Sequence, residues 1–217
     1  MFAQVLYVQW KWARTELLAY AMLAFLAPVL MLKITMANTD DSSVGLFLGV
    51  VTGTGVFFVF LAFACAVGFS VRPWLADQAL KHAYALSLPV PWSAFVRYRF
   101  LAGALLLTVP TVCVWAGGVL AVASSTLPPT LHAYPGGIAV RFLCSALVFY
   151  AATFLLQYAA GRNAARVVLL SLLALLLVES FGRVLGLGSA FEYTWNLFTS
   201  WPGPFETLSA RWMLIDV

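Results

Sequence analysis

Charged residues are scarce in this chain, and their scarcity excludes an ordinary water-soluble protein. Asp, Glu, Lys and Arg together make up 9% of the 217 residues, whereas hydrophobic residues make up 63%. Soluble domains carry about 25% charged and roughly 45–50% apolar residues. So few charges cannot cover a surface that faces water on all sides. Most of the outer surface is therefore expected to face lipid.

Cysteine pairs and catalytic motifs are also missing. Three cysteines, Cys65, Cys113 and Cys144, lie inside apolar runs without Cys-x-x-Cys spacing, which indicates small buried hydrophobic residues rather than disulfides or a zinc site. His82 and His132 lie far apart in different connections, and the chain has neither a phosphate-binding Gly-Lys-Ser/Thr loop nor a Gly-x-Ser-x-Gly elbow. The sequence predicts no metal, no bound cofactor and no enzymatic activity in this chain, and an intramembrane enzyme is the least favoured class.

Long apolar runs dominate what remains. A membrane-spanning helix needs about 20 mostly apolar residues. Five segments meet this length: Leu17–Met36, Gly45–Val71, Tyr98–Ala123, Gly137–Ala160 and Ala164–Leu187. An apolar run at Met213–Val217 could begin a sixth span. The prediction is an all-α integral membrane protein, a bundle of five to six transmembrane helices forming one transmembrane domain over residues 1–217.

Most of the basic residues fall on alternate connections rather than in one patch, which argues against nucleic-acid binding. Eight of the twelve are Lys11 and Arg14 at the N-terminus, Arg72, Lys81, Arg97 and Arg99 in the second connection, and Arg162 and Arg166 in the fourth. The first connection has Lys33, but also Asp40 and Asp41. The third connection, Ser124–Pro135, has neither Lys nor Arg. Because cationic segments are retained in the cytoplasm, we expect a cytoplasmic N-terminus in a multi-pass protein of a bacterial inner membrane.

Both ends of the chain carry aromatic residues of the kind found at membrane surfaces. Residues 1–16 have an apolar face and are predicted to form a helix lying on the cytoplasmic surface; the alternative is a straight extension of the first span. Residues 188–217 are dense in Trp, Tyr and Phe and are broken by Pro202-Gly203-Pro204. They are predicted to form an outer re-entrant or interfacial hairpin.

Glycines at four-residue spacing predict close helix packing. Gly45, Gly49 and Gly53 have this spacing in the second span, and Gly182 and Gly186 have it in the fifth. Such spacing lets two helix backbones approach. The interface could lie within the chain or between subunits.

Glu179 and Arg183 are charged residues inside the fifth predicted span. They stand at i and i+4 and can pair, which lowers the cost of burying both. They predict either a structural ion pair or a gate that contacts substrate.

The second connection, residues 72–97, has the pattern of a docking element. A short cytoplasmic helix is predicted over Asp77–Ser87, and Leu88-Pro89-Val90-Pro91 ends it because proline disfavours helix at the preceding residue. A new helix is expected to start near Trp92, with Arg97 and Arg99 at the membrane surface. This helix–turn–helix arrangement suits contact with another protein.

This connection resembles the one between the second and third spans in permease subunits of ABC transporters of the type-2 exporter class. Leu88-Pro89-Val90-Pro91, followed by Arg97, Arg99 and Gly103, stands where that class has its Leu-Pro turn and basic re-entry. The chain departs from the family in having only Asp77 as an acid upstream of the turn, and in lacking a complete sixth span.

The resemblance implies a permease that couples ATP hydrolysis in a separate ATPase subunit, which would bind the ATP and magnesium, to substrate export. It also implies a second permease subunit, identical or different. The implied coupling residues are Asp77, Lys81, Tyr84, Leu88, Pro89 and Pro91. The implied substrate pathway contains Phe57, Phe58, Phe60, Glu179 and Arg183.

A membrane scaffold or anchor subunit of a larger complex is the alternative. The glycine-rich spans and the lack of conspicuous polar residues along a pathway favour it. A scaffold, however, has no need of a helix–proline–helix connection facing an ATPase.

Overall fold

The computed structural model describes residues 1–38, 56–79, 91–125 and 131–160, with residues 163, 166–168, 170, 173–174 and 213–215. Its elements, in chain order, are α1 (Phe2–Asn38), α2 (Val56–Ala79), α3 (Trp92–Leu106), α4 (Thr108–Ala123), β1 (Leu131–Ala133), α5 (Pro135–Ala160) and β2 (Met213–Ile215).

Four stretches of helix in the described residues are long and apolar enough to cross a membrane. They are Phe2–Ile34, Phe57–Ala79, Trp92–Ala123 and Pro135–Ala160. The described parts of the first four predicted spans fall within or largely within these helices, so the helical class is confirmed and four helices suit a membrane-spanning protein. Residues 45–55 of the second predicted span lie outside the described part of the chain. Of the fifth predicted span, residues 166–168, 170 and 173–174 are helical. Its remaining residues, Glu179 and Arg183 among them, lie outside the described part of the chain, as does all of the outer hairpin except residues 213–215.

Helix α1 is continuous over 37 residues, from Phe2 to Asn38. At 1.5 Å per residue it is about 55 Å long, well beyond the roughly 30 Å of a hydrocarbon core. The chain does not break near Glu16, so residues 1–16 extend the first span instead of forming a separate surface helix. The expectation of a separate helix was wrong because amphipathic character alone does not place a bend, and no Gly or Pro stands near residue 16 to create one.

The third span is made of two helices, α3 and α4, which meet at Leu107. Pro110 has no backbone N–H to donate and its ring crowds the carbonyl one turn earlier, which interrupts the helix. The Thr108 hydroxyl donates to the Leu105 carbonyl at 2.7 Å and the Thr111 hydroxyl to the Leu107 carbonyl at 2.8 Å. Leu107 itself stays in the right-handed helical region, so α3 and α4 continue along one path.

Helix α1 runs parallel to α3 and α4. Early in α1, Gln9 lies beside Gly103, and later in α1, Phe25 lies beside Gly117. The α1–α4 contact is close, because a methyl group added at Gly117 would overlap the backbone carbonyl of Phe25. Close backbone approach at a small residue is the usual way for membrane helices to pack. Gly117 thus performs the role that the sequence assigned to Gly45, Gly49, Gly53, Gly182 and Gly186, all of which lie outside the described residues.

Helices α2 and α5 run the other way. Glu16 and Tyr20 of α1 contact Arg72 and Phe69 of α2, in reverse order along the two helices. Pro135 and Tyr150 of α5 contact Gly118 and Gly103, again in reverse order. The four spans therefore alternate in direction.

The alternation places the chain ends and connections at two ends of the bundle. We call the basic end the one that holds residues 2–16, 72–79 and 91–100 with the C-terminal turns of α5. Contacts of Phe2 with Tyr98 and of Trp74 with Phe154 join these segments. The opposite end holds residues 124–125 and β1. This grouping is the one that the distribution of Lys and Arg led us to expect.

Strands β1 and β2 form an antiparallel pair at the opposite end, with Leu131 opposite Ile215 and Ala133 opposite Met213. The sequence predicts that a sixth span could begin at the apolar run from Met213. Residues 213–215 are instead an extended strand whose backbone pairs with the third connection.

Candidate functional site

A buried ion pair joins the two helices that flank residues 80–90. Arg99 Nη1 donates to Asp77 Oδ2 at 3.0 Å, and the side chains are 3% and 0% exposed. Asp77 follows Ser70 and Trp74 on one face of α2, and Arg99 follows Phe95 by one turn of α3; all five are buried. Helical periodicity therefore turns one acid and one base toward each other across the α2–α3 contact.

Aromatic rings enclose the guanidinium. Its carbon lies 4.4 Å from the centre of the Trp74 ring and 5.7 Å from that of Phe95. Cation–π contacts of this kind become stronger when water is excluded. They partly replace the hydration that Arg99 loses on burial.

The remaining two spans reach the same cluster. The Tyr150 hydroxyl of α5 donates to the backbone carbonyl of Arg99 at 3.4 Å, and Gln9 of α1 hydrogen-bonds to Tyr150. Gly103 makes room for both, since a methyl group there would overlap the Tyr150 hydroxyl and press on the Gln9 amide. We call Gln9, Trp74, Asp77, Arg99 and Tyr150 the polar cluster.

Part of the hydrogen-bonding capacity of the polar cluster is unused. Within the described residues, Arg99 Nη2, Trp74 Nε1 and Gln9 Oε1 are buried without a hydrogen-bond partner. Each such group costs free energy in a dry environment. The Asp77–Arg99 pair and the Tyr150 hydrogen bond, and not a fully satisfied network, therefore hold the cluster together.

A second ion pair ties α1 to α2 at the basic end. Arg72 Nε donates to Glu16 Oε1, with side-chain exposures of 63% and 21%. Tyr20, one turn along α1, packs its ring edge-on against Phe69. This pair holds the extension of α1 beside the last turns of α2.

Of the predicted coupling residues, Asp77 and Pro91 lie in the described part, and they differ in exposure. Asp77 belongs to the last turns of α2, which continues to Ala79, so the short helix expected over Asp77–Ser87 does not start at Asp77. Its carboxylate is buried against Arg99 instead of facing a partner. Pro91 is exposed and immediately precedes α3 with extended geometry. Lys81, Tyr84, Leu88 and Pro89 lie outside the described residues.

The three phenylalanines predicted to line a pathway point in different directions. Phe58 is 5% exposed in the helical core, whereas Phe57 and Phe60 are 43% and 63% exposed. Only two of the three are thus available to anything outside this chain.

Sequence reasoning missed Arg99 as the partner of Asp77 and missed Gln9 and Tyr150 altogether. One signal was available: Arg99 lies two residues beyond Arg97, and an α-helix turns by roughly 200° over two residues, so both cannot face water equally. Nothing comparable pointed to Tyr150, which lies in an apolar run.

Comparisons with protein-family models, with curated proteins and with solved structures found no match to this chain. Within the described residues no group of three or more His, Cys, Asp or Glu side chains could hold a metal ion.

Proposed function

We propose that the chain is the transmembrane permease subunit of an ATP-driven exporter of the ABC type-2 class, with residues 72–97 as the element that receives force from a separate ATPase subunit. The observation that carries the proposal is the buried Asp77–Arg99 pair. It ties together the two helices from which the connection 80–90 emerges.

A coupling element must not absorb the movement applied to it. If α2 and α3 were free to slide, a push on their connection would be lost as local bending. A buried ion pair resists separation, because parting the charges leaves each of them desolvated without its partner. A push on residues 80–90 is therefore passed to α2 and α3 together.

The other contacts extend this rigid unit to α1 and α5. Tyr150 and Gln9 join the polar cluster from those helices, and the Glu16–Arg72 pair links α1 to α2. The basic ends of all four described spans would then tilt as one body. In this proposal the basic end is cytoplasmic, as the distribution of Lys and Arg favours, and a second permease subunit completes the pathway.

The proposed point of contact with the ATPase subunit is the turn Leu88-Pro89-Val90-Pro91, because it resembles the turn at this place in the family. Asp77 has a different role from the one first assigned to it. It does not meet the ATPase directly but transmits the load through Arg99, while Leu88 and the exposed Pro91 remain the candidates for contact with the ATPase.

Co-purification tests the proposal. The chain would be expressed with the genes adjacent to its own, extracted in a mild detergent and examined for a bound ATP-binding protein. Leu88→Asp is expected to release that protein. Arg99→Gln is expected to retain the ATP-binding protein, because Leu88 and Pro91 still provide the contact. It is expected to abolish the change in ATPase rate that the permease causes, because movement of residues 80–90 no longer reaches α2 and α3 together.

Arg97→Gln is the matched control, since Arg97 is exposed, lies two residues from Arg99 and carries the same charge. It is expected to change neither binding nor ATPase rate. If no ATP-binding protein is retained, or if Leu88→Asp leaves the retained amount unchanged, the exporter proposal fails and the scaffold alternative replaces it. Each variant is compared only as a monodisperse species.

A further inference from the structure

Helix α1 presents an exposed stripe of aromatic and cationic side chains at the basic end. Tyr7 is 66% and Trp10 43% exposed, and Lys11 and Arg14 are exposed as well. Their spacing of three and four residues keeps them on one side of the helix. We call these four residues the α1 stripe.

The α1 stripe lies on the side of the helix away from the bundle. The buried side of the same segment is formed by Val5, Gln9 and Ala13, which are 4%, 3% and 0% exposed. The stripe is therefore free to meet whatever surrounds the protein.

The stripe continues directly into the lipid-facing part of α1. Leu18 and Met22 follow Arg14 at four-residue spacing and are 62% and 65% exposed. The chemistry of this face changes from apolar to cationic over a single turn, about 6 Å along the axis. Such a change marks the depth at which acyl chains give way to headgroups.

No acid among the described residues neutralises the two cations of the stripe. Neither Lys11 nor Arg14 has an ion pair within the described residues, and Glu16, the one acid in the sequence of α1, is engaged with Arg72. Side chains three residues apart on a helix are neighbours, roughly 5–6 Å apart at Cβ. A single phosphate can therefore be reached by both.

We propose that the α1 stripe binds the headgroup phosphate of anionic phospholipids, with Lys11 and Arg14 on the phosphate and with Tyr7 and Trp10 farther from the acyl chains, beside the outer part of the headgroup. The occupant is lipid because the stripe is continuous with a lipid-facing surface, carries positive charge without acids, and contains the two residue types that favour the membrane interface. The proposal does not depend on the exporter function.

Lipid selectivity in a reconstituted bilayer tests this proposal. The full-length protein would be placed in phosphatidylcholine vesicles containing trace spin-labelled phosphatidylglycerol or spin-labelled phosphatidylcholine. Electron paramagnetic resonance then gives the relative affinity of the first lipid shell for the two headgroups. Lys11→Gln with Arg14→Gln is expected to reduce the preference for phosphatidylglycerol by up to roughly fivefold per cation removed, and added salt is expected to reduce it in the unmodified protein.

Lys33→Gln is the matched control for Lys11→Gln, because Lys33 is also an exposed lysine of α1 and lies near its other end. It is expected to leave the preference unchanged, and so is the charge-preserving variant Lys11→Arg with Arg14→Lys. Equal losses in Lys11→Gln and Lys33→Gln would overturn the proposal, because they would show a general charge effect. Unchanged lipid selectivity in the variant Lys11→Gln with Arg14→Gln would also overturn the proposal. So would a result in which that variant loses a co-purifying protein while its lipid selectivity stays the same.

Discussion

Arg97 and Arg99 are two residues apart on α3 and experience opposite environments. Arg99 is 2% exposed and paired with Asp77, whereas Arg97 is exposed and donates to the carbonyl of Ser93 in its own helix. Arg99→Gln is expected to lower the free energy of unfolding by about 3–5 kcal/mol, because it leaves the Asp77 carboxylate buried without its cation. Arg97→Gln is expected to change it by less than about 0.5 kcal/mol. Thermal unfolding in one detergent measures both.

The double variant Asp77→Asn with Arg99→Gln distinguishes loss of the whole ion pair from burial of a single unpaired charge. Two neutral amides remove the uncompensated charge, so the double variant is expected to be more stable than Arg99→Gln alone. If Arg97→Gln costs as much as Arg99→Gln, or if the double variant is the least stable of the three, the assigned role of the ion pair is wrong.

The sequence predicted individual residues less well than the segments in which they lie. It singled out Asp77 as an unusual acid and Arg99 as a marker of the membrane surface, but it did not pair them. Their contact depends on how α2 and α3 rotate about their axes, and Trp74, Phe95 and Tyr150 determine that rotation through packing. Glu179 and Arg183, which could be paired by spacing alone, remain a prediction.

Gly117 controls the contact between α1 and α4. Gly117→Ala is expected to destabilise the protein by about 1–3 kcal/mol, because the added methyl group meets backbone of α1 that cannot rotate away. Gly136→Ala is the matched control, since a methyl group at Gly136 meets nothing within 4 Å. That change is expected to be neutral or slightly stabilising, as alanine favours helix over glycine. Apparent melting temperatures of the two variants check the difference, and equal values would contradict the assigned contact.

The continuity of α1 can be tested by a distance. Gln4 and Leu30 are both exposed, and spin labels placed there on a straight helix should lie about 39 Å apart along the axis. A right-angle bend near Glu16 would bring them to roughly 28 Å by the same rise per residue. Double electron–electron resonance distinguishes these values in a background where Cys65, Cys113 and Cys144 are replaced by alanine. A distance distribution centred on the shorter value would contradict a continuous α1 and would support a separate surface helix over residues 1–16.

At the level of elements, hydropathy located the spans but not their ends. Apolar runs indicate where lipid contacts the chain, and the first four runs correspond to helices that can cross a membrane. The helices are longer than the apolar runs, since α1 extends back to Phe2 and α2 continues from Val71 to Ala79. Those extensions bury Gln9 and Asp77 against other helices, so tertiary packing, which the periodicity of one segment does not reveal, stabilises them.

For the molecule as a whole, the β1–β2 pair is the contact that ties residues 213–215 to the helical bundle. Cysteines at Ala133 and Met213, which stand opposite each other in the register, are expected to form a disulfide under mild oxidation. Cysteines at Ala133 and Leu214 are one residue out of register and are expected to cross-link poorly, because adjacent strand residues point to opposite faces. Mass spectrometry of the digested protein checks both pairs, and equal cross-linking would contradict the register.

The same pair bears on the number of membrane crossings. Helix α5 starts beside β1 and ends at Ala160, about 39 Å away at the basic end. Strand β2 lies beside β1 at the opposite end. The described residues on either side of 161–212 are thus at opposite ends of the bundle, and the fifth span predicted over Ala164–Leu187 would connect them by one crossing.

The pairing of β1 with β2 also has a consequence for the order of assembly during synthesis. Residues 131 and 215 are separated by 215 − 131 = 84 positions, and the ribosome must complete the later strand before the earlier one can find its partner. The contacts among α1, α2, α3, α4 and α5 need nothing beyond Ala160, so these helices can associate while translation continues. The strand pair would therefore be a late event in biogenesis, added to a bundle that has already inserted.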